Sequence, residues 1–166
     1  MTKKLITLIS VVLAVGCILC ACSKQMAQKV SMYDLKTVMA QATERFEDMT
    51  YASSEDDDAA NIFTNISDMS YSKVEGFFVY YATNGTGNAD EIAVIQVKNA
   101  DDLTEARKSL EAHLEKRKSL YSTYDKSQLK KLEGARIATN GTCAVLIVGD
   151  ESDKISDAFQ NYFNGE

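Results

Sequence analysis

Apolar residues recur every three or four positions in several stretches of this chain, which is the spacing of one buried face of an α-helix. The longest stretch predicts a helix over 103–124, and the last predicts a helix over 155–163. An amphipathic helix is expected earlier, over 35–49, and shorter helical patterns surround Phe63 and Leu132. The helical pattern thus accounts for much of the chain.

Four shorter runs are rich in aromatic and β-branched residues and predict β-strands at 76–82, 91–98, 135–139 and 142–148. A turn sequence separates the members of each pair, and Asn140-Gly141 is the stronger of the two hairpin signals. The order of the elements predicts an α+β fold. We expect a four-stranded antiparallel sheet from two β-hairpins, with helices packed on it and an N-terminal helix before it.

The two predicted hairpins also resemble each other in sequence. Residues 82–86 match residues 138–142 one for one, and residues 93–97 line up with residues 144–148. Each hairpin is followed by an acidic turn and a helix. A duplicated β-β-α unit would explain the likeness, although Asn-Gly turns and Val/Ile strands are common enough to coincide by chance.

The first residues of the chain have the pattern of a secretory signal. Lys3 and Lys4 form a short basic start, and the weakly polar to apolar run over 5–21 is short for a membrane span of about 20 residues. The run ends in Leu-Cys-Ala-Cys-Ser at 19–23, which resembles the lipobox of bacterial lipoproteins. The resemblance implies that a diacylglyceryl group is attached to Cys22 Sγ and that cleavage leaves Cys22 as the new N-terminus.

This interpretation divides the chain into a lipoprotein signal peptide (1–21), a lipidated tether (22–32) and a single α+β domain (33–166). It places the domain at the outer face of the cell membrane, held by lipid. Two alternatives stay open. The N-terminal segment could be an uncleaved anchor helix, or a competing box could end at Cys17, where Ala14 stands in place of the usual Leu.

Charge and cysteine count narrow the function further. The 166 residues carry a formal net charge of -6, and loss of residues 1–21 would leave 16 basic and 24 acidic residues, a net charge of -8. An acidic domain argues against a nucleic-acid surface. With one His and four Cys, no metal or other cofactor is expected. Cys143 would be the only free thiol after lipidation, so no intramolecular disulfide is expected.

Several short stretches carry a further likeness. They are Ala89–Ile95, the helix through Leu114 and Arg117, Tyr124 with the helical turn after it, and Gly141 with Val145–Asp150. Together with the lipobox and the order of the elements, they resemble the bacterial lipoprotein family of domain of unknown function 4358. The resemblance covers roughly residues 35–163. It implies a surface lipoprotein with an α+β domain, and it implies no activity, substrate or catalytic residue.

Four polar residues are candidates for chemistry. Asp90 and Glu91 lie at a strand start, where neighbours point to opposite faces, so they cannot form a facing acid–base pair. Glu91 could bind a cation or a partner's basic group, although a turn and a strand edge explain both carboxylates. His113 could be a general base and Cys143 a nucleophile. A half-exposed helix position for His113 and a buried, inert thiol for Cys143 are the simpler interpretations.

The first predicted strand offers a better candidate, because it is aromatic on both sides. Phe78 and Tyr80 point to one face of the sheet, and the residues next to them point to the other. One face should pack under helices. The other is either covered by the short helix around Phe63 or forms an aromatic recognition surface. Phe78, Tyr80 and Glu91 make up the candidate binding surface.

The sequence contains no convergent catalytic set, so we expect a membrane-tethered extracytoplasmic lipoprotein that acts as a non-enzymatic binding or interaction module. Its expected partners are the membrane, through the lipid on Cys22, and an unidentified envelope protein or ligand. The alternative is a small cell-envelope hydrolase that uses Glu91, His113 or Cys143.

Overall fold

A computed structural model of the chain describes residues 30–83 and 88–165, without the side chain of Glu47. The predicted signal peptide, Cys22 and most of the predicted tether lie outside the described residues, as do residues 84–87 of the first predicted turn. Within the described part the fold is α+β, as the sequence predicts.

The strands in this part of the chain form one antiparallel sheet. They are β1 (Met49–Ser53), β2 (Val74–Ala82), β3 (Glu91–Val97), β4 (Arg136–Asn140) and β5 (Cys143–Val148). Their order across the sheet is β1-β2-β3-β5-β4. The two predicted hairpins, β2/β3 and β4/β5, are therefore confirmed, and they meet where β3 pairs with β5.

The helices in the described residues also follow the predicted order. They are α1 (Met32–Gln41), α2 (Ala59–Thr64), α3 (Leu103–Tyr124), α4 (Leu129–Glu133) and α5 (Ser152–Asn164). α3 has the predicted bounds. Its buried residues Ala106, Leu110 and Leu114 repeat every four positions, which is the pattern that identifies it.

The prediction of four strands is wrong by one. Phe46 and Met49 continue the helical spacing of α1, but α1 ends at Gln41 and Met49 begins β1. Thr43 takes an extended backbone, and its hydroxyl accepts a hydrogen bond from the N–H of Arg45, which starts a short 3-10 turn. A side chain that competes for backbone hydrogen bonds thus ends the helix where the apolar spacing alone would continue it.

Helices cover both faces of the sheet, so the side chains fall into two cores. On one face, here called the α3 face, the strands pack against α2, α3 and α4. On the other, the α5 face, they pack against α1 and α5. Phe77 and Ile95 are fully buried on the α3 face, and Phe78 and Val94 are fully buried on the α5 face. Burial of each such side chain contributes about 1.5–3 kcal/mol, which explains why the central strands are apolar on both sides.

The likeness of the two hairpins holds for the strands but not for the helices that follow them. Ala93 and Ile95 of β3, and their counterparts Ala144 and Leu146 of β5, all lie in the core of the α3 face. The helix after β3 packs on the α3 face, whereas the helix after β5 packs on the α5 face. A two-fold axis between antiparallel hairpins would place both helices on one face, so the β-β-α unit as a whole is not repeated.

The β4/β5 hairpin turns through Gly141. Asn140 pairs with Cys143, so the two loop residues are Gly141 and Thr142 rather than the expected Asn140 and Gly141. Gly141 has a φ of 55°, and a Cβ at this position would lie 2.8 Å from Phe163 Cε1. Both the backbone conformation and the contact with the ring therefore require glycine.

Candidate functional site

One end of the sheet gathers the charged side chains that the fold buries. β2 ends there, β3 begins and β5 ends, since Tyr81 of β2 and Val148 of β5 both pair with Glu91 of β3. We call this the charged end. At the opposite end Gly76 of β2 pairs with Gln96 of β3, and we call it the Gly76 end.

Asp90 lies at the centre of the charged end and is 5% exposed. Its Oδ2 lies 3.0 Å from Arg45 Nη1 and 2.9 Å from Asn88 Nδ2, and its Oδ1 lies 2.9 Å from Lys131 Nζ. Arg45 Nη2 also contacts Asp150 Oδ2 at 2.7 Å. Two cations and an amide satisfy the buried carboxylate, so Asp90 joins three separate segments of the chain.

Glu91 points the other way, beneath α3. Its Oε1 lies 2.8 Å from His113 Nε2, and its Oε2 lies 3.0 Å from Arg117 Nη1. That Nη1 is buried and close to the carboxylate but is not aligned for a hydrogen bond, while Arg117 Nη2 donates to the carbonyl of Ala89 at 3.0 Å. The side chains of Glu91, His113 and Arg117 are 7%, 14% and 14% exposed. This Glu91 cluster therefore fixes α3 to the start of β3, largely out of contact with solvent.

A pocket of about 500 Å³ opens beside Asp90. Its wall includes Arg45 and Asp48 from the 3-10 turn before β1, and Glu151 from the turn after β5. A second hollow of about 490 Å³ shares Glu44 and Glu151 with the pocket and extends to the end of α1. The charged end is thus concave, and three separate segments of the chain form its walls.

Acidic side chains outnumber basic ones in the lining of the pocket. The acids are Glu44, Asp48, Asp90 and Glu151, and the base is Arg45. Hydrogen bonds from Lys154 Nζ, at 2.6 Å, and from the Thr43 hydroxyl lower the pKa of Glu151, so this carboxyl is ionised at neutral pH. Within residues 30–83 and 88–165, no three His, Cys, Asp or Glu side chains are grouped to hold a metal ion. The lining presents an excess of negative charge.

Phe78 and Tyr80 do not form an open aromatic face. Phe78 is 1% exposed in the core of the α5 face. Tyr80 is half-buried, with its ring centroid 4.4 Å from that of Phe46 and 4.9 Å from that of Tyr51. The cover comes from α1, α5 and the 3-10 turn, not from the predicted short helix α2, which packs on the α3 face. Glu91 is buried on that opposite face, so the three residues of the predicted surface are not brought together.

Tyr33 and Tyr51 are among the aromatic residues whose rings do reach solvent, and they are 70% and 40% exposed. Lys36 Nζ lies over both rings, 5.2 Å and 4.7 Å from their centroids. Tyr33 and Lys36 are three residues apart on one helix, so their proximity could be predicted. The position of Tyr51 depends on β1, which the apolar pattern did not reveal.

Cys143 and His113 lie on opposite faces of the sheet. Cys143 is fully buried on the α5 face and pairs with Gln96 near the Gly76 end, whereas His113 contacts Glu91 from the α3 face. Burial raises the pKa of Cys143 to about 12. The thiol is therefore protonated at neutral pH and cannot act with His113 as a nucleophile.

A smaller pocket of about 260 Å³ lies beside His113. The hydroxyls of Ser67 and Ser109 are 2.6 Å apart there, and the N–H of Asp68 donates to Ser109 Oγ at 3.0 Å. Ser109 precedes His113 by one helical turn, a spacing that is visible in the sequence. Ser67 belongs to the loop after α2, and no sequence pattern connects it to His113.

Comparison with protein-family models finds a match to Domain of unknown function (DUF4358) over residues 47–149, which is more than half of the chain. The chain belongs to the DUF4358 family. Searches of curated proteins and of solved structures found no match.

The DUF4358 region contains the whole sheet and the α3 face but not the helices of the α5 face. It begins just before β1 and ends just after β5, so α1 and α5 lie outside it. All of the Glu91 cluster lies within the DUF4358 region, whereas Arg45 and Glu151 of the pocket flank it. The pocket is therefore completed by segments on either side of the DUF4358 region.

No helix in the described part of the chain is long and apolar enough to cross a bilayer.

Proposed function

We propose that this DUF4358 protein is an extracytoplasmic lipoprotein, tethered to the outer face of the cell membrane through a lipid on Cys22, that acts as a non-enzymatic binding module. The pocket at the charged end is its binding site. One observation carries the proposal. The segment that precedes α1 enters the domain at the Gly76 end, so the pocket lies at the opposite end of the domain from the proposed lipid anchor.

α1 connects the two ends of the sheet. At its start, Met32 Cγ lies 3.3 Å from the point where a Cβ on Gly76 would stand. At its end, Gln41 and the residue after it line the second hollow beside the pocket. Its ten residues extend about 15 Å, which is close to the roughly 17 Å of strand between Gly76 and Tyr81 of β2.

The residues before α1 are fixed to the domain. Val30 is 8% exposed in the core of the α5 face, and the N–H of Ser31 donates to the Tyr162 hydroxyl at 3.0 Å. The eight residues from Cys22 to Val30 can extend at most about 29 Å. A lipid on Cys22 would thus keep the Gly76 end near the membrane and turn the pocket outward.

The pocket suits a ligand with a positively charged amine or guanidinium group. Asp90, at its floor, is already neutralised by Arg45 and Lys131. Glu44 and Asp48 are exposed at its rim and supply negative charge that is open to a ligand. Charges of one sign around a concave site attract ligands of the opposite sign.

Fatty-acid labelling tests the anchor. The wild-type chain should incorporate labelled palmitate, and Cys22→Ala should neither incorporate it nor be cleaved. Cys17→Ala and Cys20→Ala are matched controls that should keep the label. Label on the Cys22→Ala chain would place the lipid on another cysteine and contradict the proposed anchor.

Titration with L-argininamide, which carries an ammonium and a guanidinium group, tests the pocket. We expect it to bind the wild-type protein and to bind Asp48→Lys about tenfold more weakly, because the substitution reverses a charge at the rim. Asp57→Lys makes the same change in an exposed turn outside the pocket and should bind normally. Equal affinities for all three proteins would contradict the pocket as the site.

A small cell-envelope hydrolase is the second candidate, and one observation favours it. Glu91 holds His113 at 2.8 Å, and Ser109 lines the same small pocket as His113, so a carboxylate, an imidazole and a hydroxyl share one region. The hydroxyl of Ser109 pairs with Ser67 rather than with His113. Hydrolysis of p-nitrophenyl acetate that Ser109→Ala and His113→Gln abolish and Ser67→Ala retains would favour the hydrolase over the binding module.

A further inference from the structure

The sheet has two edges, β1 and β4, and they differ in how their backbone groups are satisfied. In an antiparallel ladder, every second residue of an edge strand points its N–H and C=O away from the sheet. Such unpaired groups can hydrogen-bond an additional strand from another chain. The number of groups left open on each edge therefore decides which edge can take up a further strand.

The β1 edge is partly closed, because three of its six outward backbone groups are already hydrogen-bonded and no two successive outward residues are both fully open. The N–H of Ser54 donates to the carbonyl of Phe77, so the outward groups of β1 belong to Met49, Tyr51 and Ser53. Met49 N–H donates to the carbonyl of Phe46. Ser53 N–H donates to the carboxylate of Asp56 at 2.6 Å, and its carbonyl accepts from Asp56 N–H. Among the described residues, Tyr51 alone keeps both of its outward groups open on this edge.

The β4 edge is open. Val97 N–H donates to the carbonyl of Thr142, the residue before β5. Counting from Thr142, every second residue therefore bonds to β3, and the residues between them bond to β4. The residues of β4 that bond to β5 are then Arg136, Ala138 and Asn140, and the outward ones are Ile137 and Thr139. No backbone or side-chain group in residues 30–83 and 88–165 hydrogen-bonds to the outward groups of these two residues. Two N–H and two C=O groups are therefore available along β4.

A side-chain pocket accompanies this open edge. It measures about 210 Å³ and lies between Thr139 and the first turns of α3. Arg107, Lys108 and Glu111 line it, and Arg107 Nη2 contacts Glu111 Oε1 at 2.8 Å. The lining holds two cations and one acid in a chain whose net charge is -6. This edge is thus locally basic on an acidic protein.

We propose that β4 is a docking edge for an extended peptide segment of a partner protein, which adds to the sheet as a sixth strand and places a carboxylate side chain in the pocket beside Thr139. Ile137 and Thr139 supply the backbone hydrogen bonds, and Arg107 and Lys108 select the acidic side chain. A second copy of this chain fits less well, because a two-fold seam at β4 would bring together the cations of both α3 helices. This surface is separate from the pocket at the charged end and goes beyond the proposed function.

The experiment uses ¹⁵N-labelled full-length protein in detergent micelles. The probe is a capped seven-residue peptide in which threonine and valine alternate around one central aspartate, and the matched peptide has lysine at the centre. Thr139→Pro removes an outward N–H that makes no bond in the sheet, which edge strands tolerate. Tyr51→Pro makes the same change on β1 and is the control. Arg107→Glu tests the charge without touching the backbone.

We expect the aspartate peptide to shift the amide resonances of Ile137 and Thr139 and to bind about tenfold more tightly than the lysine peptide. Thr139→Pro and Arg107→Glu should each weaken binding about tenfold or more, and Tyr51→Pro should leave it unchanged. Equal binding of the two peptides, loss of binding in Tyr51→Pro, or no shift at the two amides would overturn the proposal. Shifts at the same amides that grow with protein concentration without peptide would also overturn it, in favour of a second copy.

Discussion

The two ends of the sheet differ in what they bury and in what they leave open. At the charged end, Asp90 and Glu91 are held by four basic side chains from three segments of the chain, and a pocket opens beside Asp90. At the Gly76 end, the turn at Gly141 packs against the ring of Phe163, and Tyr162 fastens the residues before α1. The charged end therefore holds charged side chains next to a pocket that opens to solvent, whereas the Gly76 end holds in place the residues that precede α1.

The two carboxylates at the charged end show the same division on a smaller scale. The partners of Glu91 are both 14% exposed beneath α3, whereas Arg45, which binds Asp90, is 41% exposed at the pocket. Strand alternation alone separates them, since the residues are neighbours in the sequence. We infer that Glu91 chiefly stabilises the fold and that Asp90 chiefly shapes the site.

The largest expected effect is the low reactivity of Cys143, near the Gly76 end. The pKa of this thiol is about 12 in the folded protein against 9.0 for a free thiol, so folding should reduce its thiolate about a thousandfold at pH 8. We expect an aromatic disulfide reagent to modify Cys143 only as fast as the domain opens. Fast modification of the folded protein, with the other cysteines replaced by serine, would contradict its burial.

The same raised pKa makes stability depend on pH. The unfolded thiol ionises above about pH 9 while the folded thiol stays protonated, so the unfolded state loses its proton first. The free energy of unfolding should therefore fall as the pH rises from about 9 towards 12. Cys143→Ala is the control, and its stability should fall less over this range when both are measured by urea denaturation.

At the charged end, Glu91→Ala should lower the free energy of unfolding by about 3–5 kcal/mol, because it leaves Arg117 buried without its counter-charge. Urea denaturation measures the effect. The double substitution Glu91→Ala with Arg117→Leu should recover part of the loss, since the stranded charge is removed. A loss below about 1 kcal/mol for the single substitution would show that the Glu91 cluster does not stabilise the fold.

At the Gly76 end, Gly141→Ala should cost about 1–3 kcal/mol, because the residue has a positive φ and the new Cβ would lie 2.8 Å from Phe163. Gly165→Ala is a matched control, because its φ is also positive, at 76°, but no atom lies within 4 Å of the new Cβ. Thermal unfolding should separate the two substitutions. Equal losses of stability for the two substitutions would mean that the contact with Phe163 adds nothing to the cost of Gly141→Ala.

The smallest expected effect belongs to the hydroxyl that fastens the chain before α1. Tyr162→Phe should cost about 0.5–1.5 kcal/mol, because it removes the hydrogen bond from Ser31 N–H. Tyr124→Phe, at a position that is 80% exposed, is the control and should leave stability unchanged. Equal stability of the two variants in urea would show that the hydroxyl does not hold the chain.

The local sequence pattern predicted those elements for which a single signal, either helical spacing or a β-rich run beside a turn, was present without a competing one. The bounds of α3 follow from apolar residues at helical spacing, and both central hairpins follow from short β-rich runs around turn sequences. β1 was not predicted, because Phe46 and Met49 continue the helical spacing and the hydrogen bond of Thr43 that ends it depends on the fold.

Tertiary placement could not be predicted in the same way. Strand alternation placed Phe78 and Tyr80 on one face, but the choice between α1 and α2 as the cover depends on how the chain crosses the sheet. The sequence around Asp90 does not indicate that Arg45 and Lys131, from distant segments, form ion pairs with it. Arg45 and Asp90 line the pocket, and no periodicity in the sequence encodes the long-range ion pair between them.

The central claim is that the pocket is held away from the membrane by a tether at the other end of the domain, and energy transfer to a membrane dye tests it most directly. The lipidated protein is placed in vesicles with a fluorophore on an introduced cysteine, Ser72→Cys near the Gly76 end or Asp48→Cys at the pocket, both at exposed positions. β2 has nine residues, so the two labels should differ in height by up to about 30 Å. We predict stronger energy transfer from position 72. Equal transfer, or stronger transfer from position 48, would contradict the account.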